Sequence, residues 1–239
     1  MKTIIAPILL IFVATSLLAQ SERIQLNLNG EGTSLHMIFN IGDAHNYPSF
    51  AVWAEEVDGT FIQTLFATES VATGVYPFKP AGNLRWVKGP GEAARPAALP
   101  YWFHKRDGAK TAGAELPSPG NSVPDAYTGA TPKANAHLQL RADEKLPEKV
   151  RILVEVNQPW DVNKFWTNAK YDNDIYLTSC QPALVYAVTV DFSQPMHTYY
   201  LNPIGHSHPY GADGLLYTNL KTFTTALDIF SEIRLILPE

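Results

Sequence analysis

The feature that most constrains the fold is a series of short runs in which apolar residues occupy every second position. In residues 150–156, the side chains of Val150, Ile152, Val154 and Val156 would share one face of an extended chain. A period of two is typical of a β-strand with one buried face. Similar runs predict further strands over residues 23–29, 34–39, 49–55, 61–66, 136–141, 183–190, 196–201 and 227–237.

Turn signals between these runs favour a domain built from strands. Asp58 and Gly59 stand between two runs and form the clearest hairpin signal in the chain. No long stretch has the period of an amphipathic helix. We therefore predict an all-β fold, an antiparallel immunoglobulin-like β-sandwich with long loops.

One domain is expected over residues 20–239, with a long irregular insertion at about residues 77–124. The insertion is rich in Pro and Gly. Long irregular segments are usually functional or packed by their own side chains. The basic residues of the insertion, which would suit a phosphate or a carboxylate, are Arg85, Lys88, Arg95, Lys105 and Arg106.

Residues 1–19 have the pattern of a secretory signal peptide. Lys2 supplies a positive start, an apolar run follows over residues 4–13, and small residues lead to a cleavage position after Ala19. No later apolar run approaches the roughly 18 residues that a membrane-spanning helix needs. We predict a periplasmic or secreted protein with no transmembrane segment in the mature chain.

Charge and cysteine content exclude some classes of function. The formal net charge is −5, and it becomes −6 when the segment that holds Lys2 is removed. A mildly acidic chain without a basic stripe does not suit nucleic acid as a partner. Cys180 is the only cysteine, so an internal disulfide cannot form, and we expect a buried apolar residue there rather than a reactive thiol.

Residues 125–131 read Asp-Ala-Tyr-Thr-Gly-Ala-Thr. They resemble the flavinylation signal, roughly Asp-x-x-Ser/Thr-Gly-Ala-Ser/Thr, of exported proteins that carry flavin mononucleotide (FMN) on a threonine. The resemblance implies a phosphoester between FMN and the last hydroxyl, and Gly and Ala leave the backbone open to a transferase. Ordinary turn chemistry is the alternative, because the same residue types form turns. The cofactor-binding residues implied are Asp125, Thr128, Gly129, Ala130 and the acceptor Thr131.

A second resemblance spans most of the mature chain. It is carried by residues 48–53, 61–66, 100–104, 125–132, 150–166, 181–186 and 205–226. In order and spacing these blocks are similar to the DUF2271 family of bacterial exported proteins. That resemblance implies an immunoglobulin-like portion similar to the FlgD hook-capping type. It also implies a setting beside flavin transferases and PepSY-type membrane reductases in extracytosolic flavin systems.

These resemblances lead to one functional hypothesis and one alternative. The hypothesis is an exported accessory protein of an extracytosolic flavin or electron-transfer system, with covalent FMN on Thr131 and no enzymatic activity of its own. Its partners would be a flavin transferase and a PepSY-type membrane reductase. The alternative is a non-catalytic immunoglobulin-like module that binds a protein or glycan of the cell envelope.

His206 and His208 are weak candidates for a metal site. A zinc ion needs three or four ligands, and His104, His197 and Asp213 are the further residues that could supply them. No recognised metal spacing is present, so polar loop residues are the alternative.

Two acidic turns offer oxygen ligands at alternate positions, as calcium loops do. They are Asp161 with Asn163, and Asp172 with Asp174. Both lack the glycine and the terminal acid of an EF-hand loop, and plain turn chemistry is the alternative.

The sequence also offers candidate nucleophiles and candidate stacking residues. Ser207 beside His206, and Ser193 near His197, lack the surroundings of an activated nucleophile, so a hydrolase is not predicted. Tryptophans could stack a sugar or an isoalloxazine ring, or could simply fill the core. The five are Trp53, Trp86, Trp102, Trp160 and Trp166.

Overall fold

The alternating runs form two stacked β-sheets in the computed structural model, which describes residues 21–108 and 114–237. The predicted all-β sandwich is confirmed, and the predicted signal peptide lies outside the described residues. The strands are β1 (Glu22–Gln25), β2 (Ser34–Ile41), β3 (Ser49–Glu55), β4 (Phe61–Thr68), β5 (Val75–Pro80), β6 (Trp86–Glu92), β7 (Thr128–Gly129), β8 (Ala136–Arg141), β9 (Lys149–Asn157), β10 (Leu184–Asp191), β11 (Thr198–Tyr200), β12 (Asn202–His206) and β13 (Phe230–Ile236). The helices are α1 (Glu69–Thr73) and α2 (Pro100–Asp107).

The first sheet has five strands in the order β1-β8-β2-β13-β11. Its central strand, β2, pairs antiparallel with β8 and β13. The buried side chains of β2 are Leu35, Met37 and Phe39, and they alternate with half-buried ones. The strand predicted over residues 34–39 is therefore confirmed, and it extends to Ile41.

The second sheet has six strands in the order β12-β10-β9-β3-β4-β7. β9 lies near its centre and pairs antiparallel with β10 and β3. The hairpin between β3 and β4 turns through Asp58 and Gly59, as predicted, and Gly59 has a φ of 91°. That dihedral angle lies in the region that glycine adopts more easily than other residues.

Pairing is mixed rather than antiparallel throughout. The short edge strands β1 and β7 pair parallel with β8 and β4. In each pair the two strands are far apart in sequence. A parallel pair needs such a long connection, whereas a hairpin can only produce an antiparallel pair. The alternation pattern carries no signal for strand direction.

The main core lies between the two sheets. Phe39 of β2 and Phe230 of β13 meet Phe50 of the second sheet, and Phe50 in turn packs on Phe66, with ring centroids 5.0–5.4 Å apart. Tilted and edge-on ring pairs at this spacing add to the stabilisation from burial alone. The inward residues of β9 extend this core, as the sequence pattern predicted.

The outer face of the six-stranded sheet carries a second apolar cluster beneath α1, α2 and the β5–β6 hairpin. Trp102 of α2 is fully buried in this cluster together with Trp53 and Leu153 of the sheet. α2 begins with Pro100 in its first turn and ends at Gly108, which has a φ of 70°. Both are standard helix boundary residues. Residues 77–124 thus include a hairpin strand pair and a helix.

The environment of Cys180 agrees with the prediction from the sequence. Cys180 is buried, and burial raises the pKa of its thiol to about 11, which makes it an unreactive apolar residue.

No helix among the described residues is long and apolar enough to cross a membrane.

Candidate functional site

The segment that resembles the flavinylation signal lies at an edge of the six-stranded sheet. Asp125–Tyr127 form a single 3-10 turn, and Thr128–Gly129 form β7. β7 pairs with the end of β4 and is the outermost strand of its sheet. An edge strand has one side free of strand partners, so another chain can approach it more easily than a central strand.

Gly129 stands where the chain approaches the core closely. A Cβ atom on this residue would lie 3.0 Å from Cε2 of Phe66 and 3.7 Å from Cγ2 of Ile24. The first separation is tighter than ordinary van der Waals contact, so a side chain here would push against a buried ring. A packing requirement therefore accounts for glycine at this position of the segment.

The last two residues of the segment face outward. Ala130 is exposed, and Thr131 is half-buried. The hydroxyl of Thr131 donates a hydrogen bond to the carbonyl oxygen of Pro48 at 3.3 Å, which is longer than most O–H···O hydrogen bonds. The proposed acceptor oxygen is therefore weakly held at the edge of the sheet rather than sealed in the core.

Tyr127 anchors the start of the segment. Its hydroxyl donates a hydrogen bond to the carboxylate of Asp143, in the turn between β8 and β9. Desolvation, together with that hydrogen bond, raises the pKa of Tyr127 to about 12. The hydroxyl of Tyr127 is therefore protonated at neutral pH, and its hydrogen bond to Asp143 can hold the loop in place.

The five tryptophans divide sharply by exposure. Trp53, Trp102 and Trp166 are buried and belong to the packing of the domain. Trp86 is half-buried, and Trp160 is 40% exposed. The rings of Trp86 and Trp160 meet edge-on with their centroids 6.0 Å apart, so the two accessible indoles form one surface.

A buried arginine lies behind this surface. Arg95 is only 4% exposed, and its guanidinium carbon lies 4.9–5.7 Å from the ring centroids of Tyr76, Trp86 and Trp160. Its Nη2 donates to the carbonyl of Thr178 at 2.6 Å, while its buried Nε has no hydrogen-bond partner among the described residues. Burial lowers the pKa of Arg95, and contact with aromatic faces offsets part of the cost of burying the charge.

His206 and His208 are engaged in packing and loop hydrogen bonds. Nδ1 of His206 donates to the Ser207 carbonyl at 2.8 Å, and its ring stacks on Tyr217. Nδ1 of His208 accepts from the backbone N–H groups of Tyr210 and Ala212. Burial lowers the pKa of both rings.

The other proposed zinc ligands do not join them. Nδ1 of His104 donates to the Pro100 carbonyl, and Nδ1 of His197 lies 3.0 Å from the Thr198 hydroxyl. Asp213 accepts from the hydroxyl of Tyr217. Over residues 21–108 and 114–237, no group of three His, Cys, Asp or Glu side chains is placed to hold a metal ion.

The proposed calcium ligands form loop contacts instead. Asp161 accepts a hydrogen bond from the Thr225 hydroxyl, and burial raises the pKa of its carboxyl. Asn163 donates to the side chain of Gln181 and to the carbonyl of Thr222. These bonds tie the loop after β9 to the segment before β13.

The second acidic turn is built around its central residue. Oδ1 of Asn173 accepts from the backbone N–H groups of Ile175 and Tyr176, while Asp172 and Asp174 are exposed. This is the side-chain turn chemistry that asparagine favours.

The two serines considered as nucleophiles make other bonds. Ser207 donates weakly to the Ala183 carbonyl at 3.4 Å, and Ser193 donates to Asp191 at 2.6 Å. Among the hydrogen bonds of the described residues, none joins either hydroxyl to a histidine ring. A serine–histidine pair of the hydrolase type is therefore not formed by these side chains.

Glu155 is a buried acid that the sequence pattern did not reveal. It is fully buried on the outer face of β9 and accepts from the backbone N–H groups of Tyr101 at 3.1 Å and Trp102 at 2.7 Å. Burial raises the pKa of its carboxyl to about 8, against the opposing effect of those hydrogen bonds. Glu155 therefore caps the start of α2 and fixes the helix to the sheet.

In comparisons with known proteins, no family model, curated protein or solved structure matches the chain. The similarity to DUF2271 and to the flavinylation signal stays a prediction from the residues themselves.

Proposed function

We propose that this chain is an exported accessory protein of an extracytosolic flavin or electron-transfer system, and that it carries FMN covalently on Thr131. The observation that carries the proposal is the position of residues 125–131. The segment that resembles the flavinylation signal includes the edge strand β7, with Ala130 exposed and the Thr131 hydroxyl held by one long hydrogen bond. A transferase needs this kind of access to the acceptor oxygen.

The residues of the segment suit the chemistry of attachment. Oγ1 of Thr131 would form a bond to the FMN phosphorus of flavin adenine dinucleotide, the pyrophosphate bond would break, and AMP would leave. The hydroxyl proton would pass to the transferase. The step is a phosphoryl transfer without change of oxidation state, and on the protein side it replaces the hydrogen bond to Pro48.

When bound, FMN supplies the electron-transfer chemistry, and the protein supplies position and environment. The partners proposed are a flavin transferase, which attaches FMN, and a PepSY-type membrane reductase, which provides electrons. A periplasmic or secreted location goes with both, because the segment before residue 20 has the pattern of a signal peptide.

The test is intact mass spectrometry of the mature protein after co-expression with a flavin transferase. The wild-type chain should gain the mass of one FMN. Thr131→Val keeps the shape of the side chain without its hydroxyl and should gain nothing, whereas Thr131→Ser keeps the hydroxyl and should still be modified.

Two results would overturn the proposal. One is an unmodified wild-type chain under conditions that fully modify a known flavinylated protein. The other is equal modification of wild type and Thr131→Val, which would place FMN elsewhere. A non-catalytic immunoglobulin-like binding module would then be the better account of the sandwich.

A further inference from the structure

Three exposed or half-buried aromatic side chains form a continuous surface at one end of the six-stranded sheet. We define the aromatic ledge as Phe78, Trp86 and Trp160. Phe78 is 39% exposed and Trp160 is 40% exposed, and their ring centroids are 5.7 Å apart. Large apolar groups exposed together, rather than singly, mark binding surfaces more often than isolated ones do.

The ledge is held rigidly before any ligand arrives. The carbonyl of Thr178 accepts from the backbone N–H of Trp160 at 3.2 Å and from Nη2 of Arg95 at 2.6 Å. Trp160 has a φ of 57°, a conformation that a bulky residue adopts only when its surroundings impose it. A site whose side chains are already in place loses less entropy on binding a ligand.

The charge around the ledge is positive. Lys88 lies directly opposite Phe78 in the β5–β6 hairpin, so the two side chains project from the same face. The exposed hairpin cations make no ion pair with any described residue, and they are Lys79, Arg85 and Lys88. In a chain with a net charge of −5, this local excess of cations favours a ligand that carries negative charge.

The ledge and the acceptor threonine lie at the same end of the sheet. The Thr131 hydroxyl contacts the carbonyl of Pro48, and the next residue, Ser49, pairs with Asn157 of β9. Trp160 follows Asn157 by three residues and lies in a turn. One strand spacing and a three-residue step therefore separate Ser49 from Trp160, so their Cα atoms lie no more than about 16 Å apart.

We propose that the aromatic ledge binds the isoalloxazine ring of FMN, with the ring stacked on Trp160 and Lys88 beside it. The identity of the ligand rests on the proposed function, in which the phosphate of FMN is attached at Thr131. In FMN a flexible polyol chain joins the phosphate to the ring, so the ring lies well away from the attachment oxygen. Lys88 would favour the negative charge that a flavin ring gains on reduction.

The test separates the ledge from the covalent attachment. The Thr131→Val variant of the mature chain is purified free of flavin and titrated with free FMN and with riboflavin, and the quenching of flavin fluorescence is followed. Riboflavin should bind, because the ledge recognises the ring, and free FMN should bind at least as tightly, because the nearby cations attract its phosphate. Adding Trp160→Ala should weaken binding by about tenfold, as expected for the loss of one stacking partner.

A matched control is Tyr200→Ala, which removes a 52% exposed aromatic ring from β11 of the other sheet. It should leave flavin binding unchanged. Phe78→Ala is a second variant of the ledge, so the test holds even if Trp160→Ala folds poorly. Lys88→Gln should weaken the binding of FMN more than that of neutral riboflavin, whereas Lys145→Gln, at an exposed lysine elsewhere, should change neither.

The outcomes distinguish the two proposals. Absence of saturable quenching, or equal affinity in the Phe78→Ala, Trp160→Ala and control variants, overturns the ledge inference even if Thr131 is modified. Flavin binding that depends on the ledge in a chain that is never modified at Thr131 overturns the covalent attachment and leaves the ledge as a non-covalent site. Ledge-dependent binding of an anionic oligosaccharide, without flavin binding, overturns the choice of ligand.

Discussion

The two faces of the six-stranded sheet are buried by different means. The inner face packs against the five-stranded sheet through apolar side chains such as Phe50, Val52 and Val154. The outer face lies beneath α1, α2 and the β5–β6 hairpin and buries the carboxylates Glu55 and Glu155. Apolar contacts on the inner face are non-directional. The buried carboxylates of the outer face, in contrast, depend on specific hydrogen-bond donors and cations. The inner face therefore sets the stability of the sandwich, and the outer face sets where its covering elements sit.

Truncation of an inner-face ring tests this contrast with the largest effect. Phe50 is fully buried and its ring packs on Phe39, Phe66 and Phe230. Phe50→Ala should lower the free energy of unfolding by about 3–5 kcal/mol. Urea unfolding measures the change, with the exposed Tyr200→Ala as a control expected to stay within about 0.5 kcal/mol. A small loss for Phe50→Ala would contradict the assignment of stability to the inner face.

The ion pairs of Glu55 give a smaller effect on the outer face. This buried carboxylate lies 2.7 Å from Nη1 of Arg151 and 3.2 Å from Nζ of Lys105, which links β3 to β9 and to α2. Glu55→Gln should lower the free energy of unfolding by about 1.5–3 kcal/mol, because both cations would lose a charged partner. Glu232→Gln is the matched control, since its pair with Arg234 is partly exposed and should matter by less than about 1 kcal/mol.

The buried acid that caps α2 makes the outer face sensitive to pH. The pKa of Glu155 is raised from 4.5 to about 8, so between these pH values the folded state holds a proton that the unfolded state has lost. The free energy of unfolding should therefore fall as pH rises through this window, by up to about 1.4 kcal/mol per pH unit, and the contribution should be constant outside it.

Glu155→Gln isolates this contribution, because an amide does not titrate. Urea unfolding at a series of pH values should show a shallower slope for this variant than for wild type. The exposed Glu148→Gln should leave the slope unchanged. Equal slopes in all three proteins would show that Glu155 is ionised in the folded state at neutral pH.

The smallest stability effect is expected at the proposed acceptor. Thr131→Val removes one long hydrogen bond from a half-buried side chain and keeps its shape. The free energy of unfolding should change by no more than about 1 kcal/mol. Urea unfolding of the unmodified protein checks this. A larger loss would give Thr131 a structural role and weaken the case for a site that a transferase can reach.

The inner face could be predicted from the sequence because apolar alternation reports burial directly. The strands at Ser49–Glu55 and Ala136–Arg141 agree with the predicted ranges residue for residue. The same pattern places Glu155 on the opposite face of β9 from Val154, where solvent would be expected. Instead, α2 packs over this face and buries Glu155. No local feature of β9 indicates that a helix will pack there.

The covering elements were harder to predict for a different reason. In the β5–β6 hairpin, prolines and glycines interrupt the alternation, so Val75–Pro80 and Trp86–Glu92 do not resemble strands. In α2 the aromatic residues obscure a helical period, although Pro100 and Gly108 mark its ends. The aromatic ledge combines residues from the hairpin and from the loop after β9, and sequence alone does not bring those two regions together.

The proposed attachment of FMN to Thr131 is tested most directly by locating the cofactor on the chain. The mature protein, co-expressed with a flavin transferase, is denatured, freed of unbound flavin and digested with trypsin, and the peptide that ends at Lys133 is sequenced by mass spectrometry. The account predicts a flavin-coloured peptide with the added mass of FMN on Thr131. An unmodified peptide from a protein whose transferase modifies a control substrate in the same cells would contradict it.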